Sequence, residues 1–491
     1  MTLSIGEILP LVRGELLSGS VDTTFAGVST DSRTLVPGDL FFALIGERYD
    51  GHDYVGDAIS KGACGVVISR VPASLEALYA AGARPPGRQA AVIKTTDTLA
   101  ALQAVARYVR RRVACKVVAV TGSTGKTTTK DMTASILSTR LRVVKSESNF
   151  NNEIGLPLTL LGLDETIQAS VVEMGMRALG EIKLLSEIAE PDVGVVTNVG
   201  ITHLELLGSV DNIAKAKSEL ISSLPSGGFA VLNADDPRVA GMAELTYAQV
   251  VLYGTRPGCD IRAEDIKTLG LSGTSATLVT PAWAMEVHIP VPGRHNVMNA
   301  LAAAGAAMCL GLGPEEIKRG LEAFTLSPMR MQVIDLGNDV TLINDAYNAN
   351  PASVRAALET LSTAGAGRRK VAVLGDMLEL GPVSQQAHRE AGVQALDSGV
   401  DVLITVGRLG EEIGRGFGEA LRARGIRGRE VHSVENPADA ASFLKEVIRP
   451  GDVILVKASR RMQLDMVASE LVATMKAMAV EDASKGGGCR G

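Results

Sequence analysis

Lys126 and Thr127 stand side by side after two glycines in the run Lys116-Val-Val-Ala-Val-Thr-Gly-Ser-Thr-Gly-Lys-Thr-Thr-Thr129. An ammonium beside a hydroxyl at the end of a glycine turn suits a polyphosphate. The lysine reaches the β- and γ-phosphates, and the hydroxyl can ligate Mg²⁺. The flanking residues supply what such a site needs. Val117 to Val120 are apolar and mostly β-branched, which predicts a buried parallel strand. Thr121 to Gly125 predict a tight turn, and Lys126 opens a helix with Met132, Ile136 and Leu137 on its apolar side. Exposed backbone N–H groups and the helix dipole both favour an anion there. Thr121, Gly122, Ser123, Thr124, Gly125, Lys126, Thr127 and Thr128 are the expected cradle for a nucleoside triphosphate. Val120 occupies the place of the first glycine in G-x-x-x-x-G-K-[ST], so the loop is a shortened form.

Further polar residues fall at the ends of predicted strands. Ala169-Ser-Val-Val-Glu173 is a strand ending in a carboxylate. Asp192 to Thr197 is another, followed by Asn198-Val-Gly-Ile-Thr-His203. Ligands of open parallel sheets gather at the carboxyl ends of strands. Thr127, Glu173 and His203 are therefore expected to converge. Asn149-Phe-Asn-Asn-Glu-Ile-Gly-Leu-Pro157 is a loop before a short helix, and its amides suit a ligand with donors and acceptors. Plain turn and capping chemistry explains them equally well. Lys217 lies on the apolar stripe of a helix beginning at Ser209, with Ile213, Leu220, Ile221 and Leu224. Either its stem packs while the ammonium reaches water, or it faces phosphates or is chemically modified. Asn296 and Asn299 are three apart on an Ala-rich helix, so both can face one ligand such as an adenine edge.

These residues need a scaffold of repeating strand and helix units. Residues 1–97 read as a small α/β unit with the buried strand Leu40-Phe-Phe-Ala-Leu44 and a loop at Pro85-Pro86-Gly87. Asp31, Ser32 and Arg33 there could bind a phosphorylated ligand or simply form a turn with an Asp–Arg pair. Residues 98–326 carry the phosphate loop on a parallel sheet, with short strands and Gly/Thr turns over 250–292. Residues 327–480 resume the pattern as a Rossmann-like α/β unit. In it Val340-Thr-Leu-Ile343 ends at Asn344-Asp-Ala-Tyr-Asn-Ala-Asn-Pro351, with Asn350 as N-cap and Pro351 first in the helix. Residues 481–491 read as a disordered tail.

Composition narrows the function. The chain has 491 residues, enough for roughly two to four domains. A net charge of −6 argues against a general nucleic-acid binder, which needs a basic face. No apolar run reaches the roughly 18 residues of a membrane span, and the N-terminus lacks a signal-peptide pattern. The five cysteines are scattered with no C-x-x-C spacing, so neither zinc nor a disulfide framework is expected. The expectation is a soluble, cytoplasmic, monomeric protein.

The loop, Glu173, Asn-Val-Gly-Ile-Thr-His203-Leu-Glu, Ala216-Lys-Ser-Glu219 and Gly293-Arg-His-Asn-Val-Met-Asn299 resemble the Mur ligases. These are ATP-dependent amide-forming enzymes of peptidoglycan precursor synthesis, and the resemblance covers nearly the whole chain. It implies three α/β domains: a small N-terminal one, a central ATPase-like one, and a C-terminal Rossmann-like one. It also implies an acyl phosphate, made by ATP on a UDP-linked peptide and attacked by an amine. Asp345-Ala-Tyr-Asn-Ala-Asn-Pro351 and Leu374-Gly-Asp-Met-Leu-Glu-Leu-Gly381 resemble members that add D-Ala-D-Ala to UDP-MurNAc-tripeptide. By the resemblance, Thr127 and Glu173 would hold one Mg²⁺, with His203 and Lys217 serving a second. Lys217 would be carbamylated. Lys126, His203 and Lys217 would be catalytic. Asn296 and Asn299 would face adenine, with Arg330 and Asp345 reaching phosphate and ribose. Ser32, Arg33, Asn151 and Asn152 would hold the UDP substrate, and Tyr347, Asn348 and Asn350 the acceptor dipeptide. Ala458, in Lys457-Ala-Ser-Arg460, departs from the family's usual glycine. The competing class is a P-loop ATPase acting as a conformational switch without a covalent product.

Overall fold

A computed structural model of the chain describes residues 2–73, 75, 90–147 and 149–486. The expected loop at Pro85-Pro86-Gly87 lies outside the described residues.

Among the described residues, Leu3–Ser4 pairs with Thr24–Phe25 as a small antiparallel sheet, and three larger sheets succeed one another along the chain. The first orders its strands as Glu15–Ser18, Ala91–Lys94, Gly65–Ile68, Leu40–Phe42 and Val28–Ser29. Only the first pair is antiparallel. The Asp50 side chain caps the 3₁₀ turn Gly51–Tyr54 before the helix Val55–Ser60.

The central sheet has nine strands. Its parallel part runs Ile261–Thr268, Gln249–Gly254, Phe229–Asn233, Val193–Val196, Lys116–Thr121, Ala169–Glu173, Val143–Lys145. Thr274–Val279 and Ala284–Ile289 extend one edge as antiparallel strands. These form the small β element expected over 250–292. Lys116–Thr121 has neighbours on both sides and helices over both faces, so every residue after Lys116 is buried. That is why its sequence is continuously apolar rather than alternating.

The helix Lys126–Leu137 packs against the Ala-rich helix His295–Cys309. Ala300, Ala303, Ala304 and Ala307 are fully buried, and their small side chains permit the close approach. On the opposite face, Leu102, Leu156, Ile182 and Leu220 come from four helices and close a second core.

The third sheet runs Gln332–Asp335, Thr341–Asn344, Val453–Lys457, Lys370–Gly375, Val402–Val406, Glu430–Val434. Only its first strand is antiparallel. Asn350 caps the helix Pro351–Ala364 by accepting from Ser353 N, as expected, and Val354, Leu358 and Leu361 face inward. A single apolar cluster runs from Val120 and Ala304 to Leu358 and Leu374, joining the second and third sheets. The architecture is the expected α/β succession.

One expectation needs correction. The last helix spans Asp465–Gly486, so residues 481–486 continue it rather than forming a tail. Glu481, Ala483 and Lys485 are good helix formers that a purely compositional reading discounts. Residues 487–491 lie outside the described residues.

Candidate functional site

Strand register brings the chemistry together. Val120 pairs with Glu173 on one side, and Thr121 pairs with Val196 on the other. Three adjacent parallel strands thus end at one level, and the glycine loop leaves from the middle one. Thr127 Oγ1 donates to Glu173 Oε2 at 2.6 Å, and Asn151 Nδ2 donates to Glu173 Oε1 at 2.8 Å. The expected convergence of Thr127 and Glu173 is met by direct contact.

The loop is held by its neighbours. Asn198 Oδ1 accepts from Thr124 N at 3.0 Å, while Thr197 Oγ1 donates to Thr124 O at 2.6 Å. Gly200 N donates to Ser123 Oγ at 2.8 Å. Both glycines are required by space. A Cβ on Gly122 would lie 1.8 Å from Thr197 Oγ1, and one on Gly125 would lie 2.3 Å from Asn299 Oδ1. Gly125 also has φ +80°, a left-handed backbone that side chains disfavour. Lys126 Nζ donates to Gly122 O at 2.8 Å. Burial lowers the Lys126 pKa; Glu173 opposes that shift and Arg330 adds to it.

A cavity of about 720 Å³ opens over this loop. Of the expected cradle, Ser123, Thr124, Gly125, Lys126, Thr127 and Thr128 line it, whereas Thr121 and Gly122 lie behind them. Glu173 and His203 line it as expected, as do Asn151 and Asn152. Asn296 and Asn299 line it too, but they are already bonded. Asn299 Nδ2 donates to Asn296 Oδ1 at 3.0 Å, and Asn296 Nδ2 to Pro292 O at 2.9 Å.

The third sheet supplies the far wall. Arg330, Asp345, Tyr347, Asn348 and Asn350 all line the same cavity. The Arg330 guanidinium stacks 4.0 Å from the centre of the Tyr347 ring, a cation–π arrangement. Lys457 Nζ pairs with Asp345 Oδ2 at 2.5 Å and donates to Asn348 O at 3.0 Å. His203 Nδ1 meets Glu379 Oε2 at 2.5 Å.

Four contributors were missed from sequence. Asn198 pins the loop, Lys457 holds Asp345, Glu379 holds His203, and His295 lines the cavity with its pKa pushed down to about 4 by burial. Asn198, His295, Glu379 and Lys457 all sit inside stretches singled out above. Their roles were invisible because Asn198, Glu379 and Lys457 each depend on a partner distant in sequence, and His295 on burial by the fold.

Some expected residues stand apart. Lys217 is 2 % exposed on the inner stripe of Val210–Ser222, which rules out an ammonium reaching into water. Among the described residues it has no hydrogen-bonding or ion-pairing partner, and it does not line the cavity. Burial drives its pKa well below the usual lysine value, and the charge of Lys126 adds to that. Ser32 and Arg33 do not line the cavity either. Arg33 pairs with Asp31 at 2.7 Å, and Ser32 O accepts from Lys61 Nζ at 3.0 Å.

The donor set at the loop suits a hard cation. Thr127 and Glu173 place a hydroxyl and a carboxylate side by side. Mg²⁺ takes one or two such protein oxygens and keeps its remaining shell for water and phosphate. Among the described residues, no helix is long and apolar enough to cross a membrane.

Comparison with known proteins finds three successive family matches along the chain. Residues 24–119 match the Mur ligase family catalytic domain, residues 120–307 the Mur ligase middle domain, and residues 329–460 the Mur ligase glutamate ligase domain. The UDP-N-acetylmuramoyl-tripeptide–D-alanyl-D-alanine ligase of Bacillus subtilis is 38% identical over 472 residues, covering 96% of this chain and 98% of that one. The Escherichia coli ligase of the same name is 36% identical over 420 residues, covering 85% and 89%. A crystal structure of MurF from Acinetobacter baumannii superposes with a TM-score of 0.84 at 30% identity, covering 96% of this chain and 99% of that one. The Thermotoga maritima MurF ligase in complex with ADP gives 0.77 at 26% identity, covering 92% and 98%.

Proposed function

The chain belongs to the Mur ligase family, and we propose from that premise that it joins D-alanyl-D-alanine to UDP-N-acetylmuramoyl-tripeptide with ATP. The observation that carries the reading is a single cavity. The phosphate loop and Glu173 form one wall, and Tyr347, Asn348 and Asn350 form the other. A nucleotide and an amine acceptor can therefore meet across it.

The chemistry follows from the reactants. A carboxylate resists attack by an amine. Transfer of the γ-phosphoryl group to the tripeptide's terminal carboxylate gives an acyl phosphate and ADP. The dipeptide amine then adds to the acyl carbon, and phosphate leaves as the amide forms. The protein supplies position and charge neutralisation. Lys126, now on the Gly122 carbonyl, turns to the β- and γ-phosphates. Each amide atom of Asn296 and Asn299 already has a protein partner, so adenine would take their second hydrogens and lone pairs. Arg330 and Asp345 serve phosphate and ribose, the latter oriented by Lys457.

Thr127 and Glu173 would hold one Mg²⁺, and His203 with Lys217 a second; when bound, these ions neutralise phosphate charge. Lys217 is suited to carbamylation, because a buried amine with a depressed pKa is available as the neutral nucleophile. The first domain, around Ser32 and Arg33, would hold the uridine diphosphate, with Asn151 and Asn152 nearer the reacting carboxylate. Domain limits at 1–97, 98–326 and 327–480 are part of this reading, supported by the change from one larger sheet to the next along the chain.

Purified protein with ATP, Mg²⁺, UDP-tripeptide and D-Ala-D-Ala should release phosphate only when both co-substrates are present. The product mass should equal tripeptide plus dipeptide less water. Addition of diaminopimelate or lysine to a UDP-dipeptide instead would replace this assignment. ATP turnover needing neither co-substrate would favour the conformational-switch class.

A further inference from the structure

His203 belongs to the central domain, but the group that orients it does not. Glu379 follows the strand Lys370–Gly375 of the third sheet, and its Oε2 lies 2.5 Å from His203 Nδ1. The backbone supports the same contact, with Glu205 N donating to Glu379 O at 3.3 Å. His203 has φ 56° and Glu379 has φ 64°, so both ends of the bridge adopt the left-handed backbone that non-glycine residues avoid. Such conformations persist where the surroundings over-determine them, and they cluster at functional sites. The two side chains are 28% and 30% exposed, so they are not simply buried polar atoms needing a partner.

We propose that Glu379 is a positioning residue for His203, supplied across the domain boundary. Its carboxylate accepts the Nδ1 proton. That fixes the imidazole tautomer with its lone pair on Nε2, the nitrogen without a partner among the described residues and the one left for the cavity that His203 lines. A carboxylate behind a histidine fixes ring orientation and tautomer in just this way. The consequence is conditional assembly. The central domain alone leaves His203 free to take either tautomer, and docking of the third domain selects the one the site uses. The hydrogen bond to His203 holds the Glu379 carboxyl below its usual pKa, and Arg177 and Arg461 add smaller contributions.

The kinetic test rests on the ligase reading; the spectroscopic test does not. The chain has only 6 histidines, so ¹⁵N-histidine labelling of the metal-free full chain gives a tractable spectrum, with the His203 signals identified by their loss in His203→Gln. Wild type should show His203 protonated at Nδ1. In Glu379→Ala the signal should move to the Nε2-protonated form or to a mixture. A His203 signal unchanged in Glu379→Ala overturns the proposal. In turnover, Glu379→Ala should lose on the order of 10- to 100-fold in kcat, with the KM for ATP within about twofold of wild type. Glu379→Gln, whose amide oxygen still accepts from Nδ1, should recover part of the loss. An Ala variant with normal kcat and a raised KM, or a Gln variant no better than Ala, overturns the positioning role. A wild-type chain that makes no ligation product refutes the ligase reading instead and leaves the spectroscopic result standing.

Discussion

Thr127 Oγ1 donates to Glu173 Oε2 across 2.6 Å, joining the first helical turn after the phosphate loop to the carboxyl end of the neighbouring strand. The two residues are 46 apart in sequence. They meet because parallel pairing sets Glu173 opposite Val120. Asn151 takes the other carboxylate oxygen, so Glu173 is held at both ends before any ligand arrives. The site is thus preorganised on rigid elements, which sharpens what single substitutions should do.

Removing the Lys126 ammonium should abolish stabilisation of the transferring phosphoryl group. Lys126→Ala should lose on the order of 10³-fold in turnover. The fold should survive, because among the described residues the side chain makes only one hydrogen bond, to the Gly122 carbonyl. Circular dichroism and steady-state phosphate release check this together. A folded variant with near wild-type turnover would remove the loop from the mechanism.

Lys217→Ala should be nearly inactive, and a short carboxylic acid such as acetate should partly restore turnover by replacing the carbamate. The basis is an inward-facing amine, 2 % exposed, with no partner among the described residues. A carbamate should also appear as added mass in gently handled protein under bicarbonate. Modest loss with no rescue would leave Lys217 as a packing residue.

Gly320 tests the support of the loop from behind. It lies in Pro314–Glu322, where a Cβ would sit 2.3 Å from Ile136 Cα and 2.7 Å from Ile136 N. Backbone cannot yield as a side chain can. Gly320→Ala should cost about 1–3 kcal/mol by overpacking. Because Ile136 shares a helix with Lys126, the KM for ATP should rise as well. A variant with unchanged melting temperature would contradict the packing.

His295 gives a pH dependence of stability. Its folded pKa is depressed to about 4 by burial, against an ordinary histidine value of 6.5. Above the unfolded value both states are neutral, and the contribution is complete. As pH falls through about 6.5, the unfolded chain binds a proton that the folded chain refuses, so stability declines until about pH 4. His388 is buried and depressed too. The readout is therefore the difference between wild type and His295→Gln in denaturant midpoint from pH 7 to 4. The variant's curve should be the flatter of the two.

Sequence by itself determined the phosphate loop, the strand ends and the inward lysine. These are local facts. A buried parallel strand must be apolar throughout, the turn needs glycine at Gly122 and Gly125, and a helix stripe at Ile213, Lys217 and Leu220 shows which way the lysine faces. The cap at Asn350 and the helix after it were legible for the same reason, since capping involves residues three apart. Tertiary structure alone decided the pairings that finish the site. His203 meets Glu379 across 176 positions, and Lys457 meets Asp345 across 112. Periodicity reports the face a residue presents to its own element, whereas these contacts depend on how one sheet is set against another. The same limit explains Ser32 and Arg33, whose types suit a phosphate but which lie away from the central cavity. It also explains Asn296 and Asn299, whose amides are partly committed to each other and to Pro292.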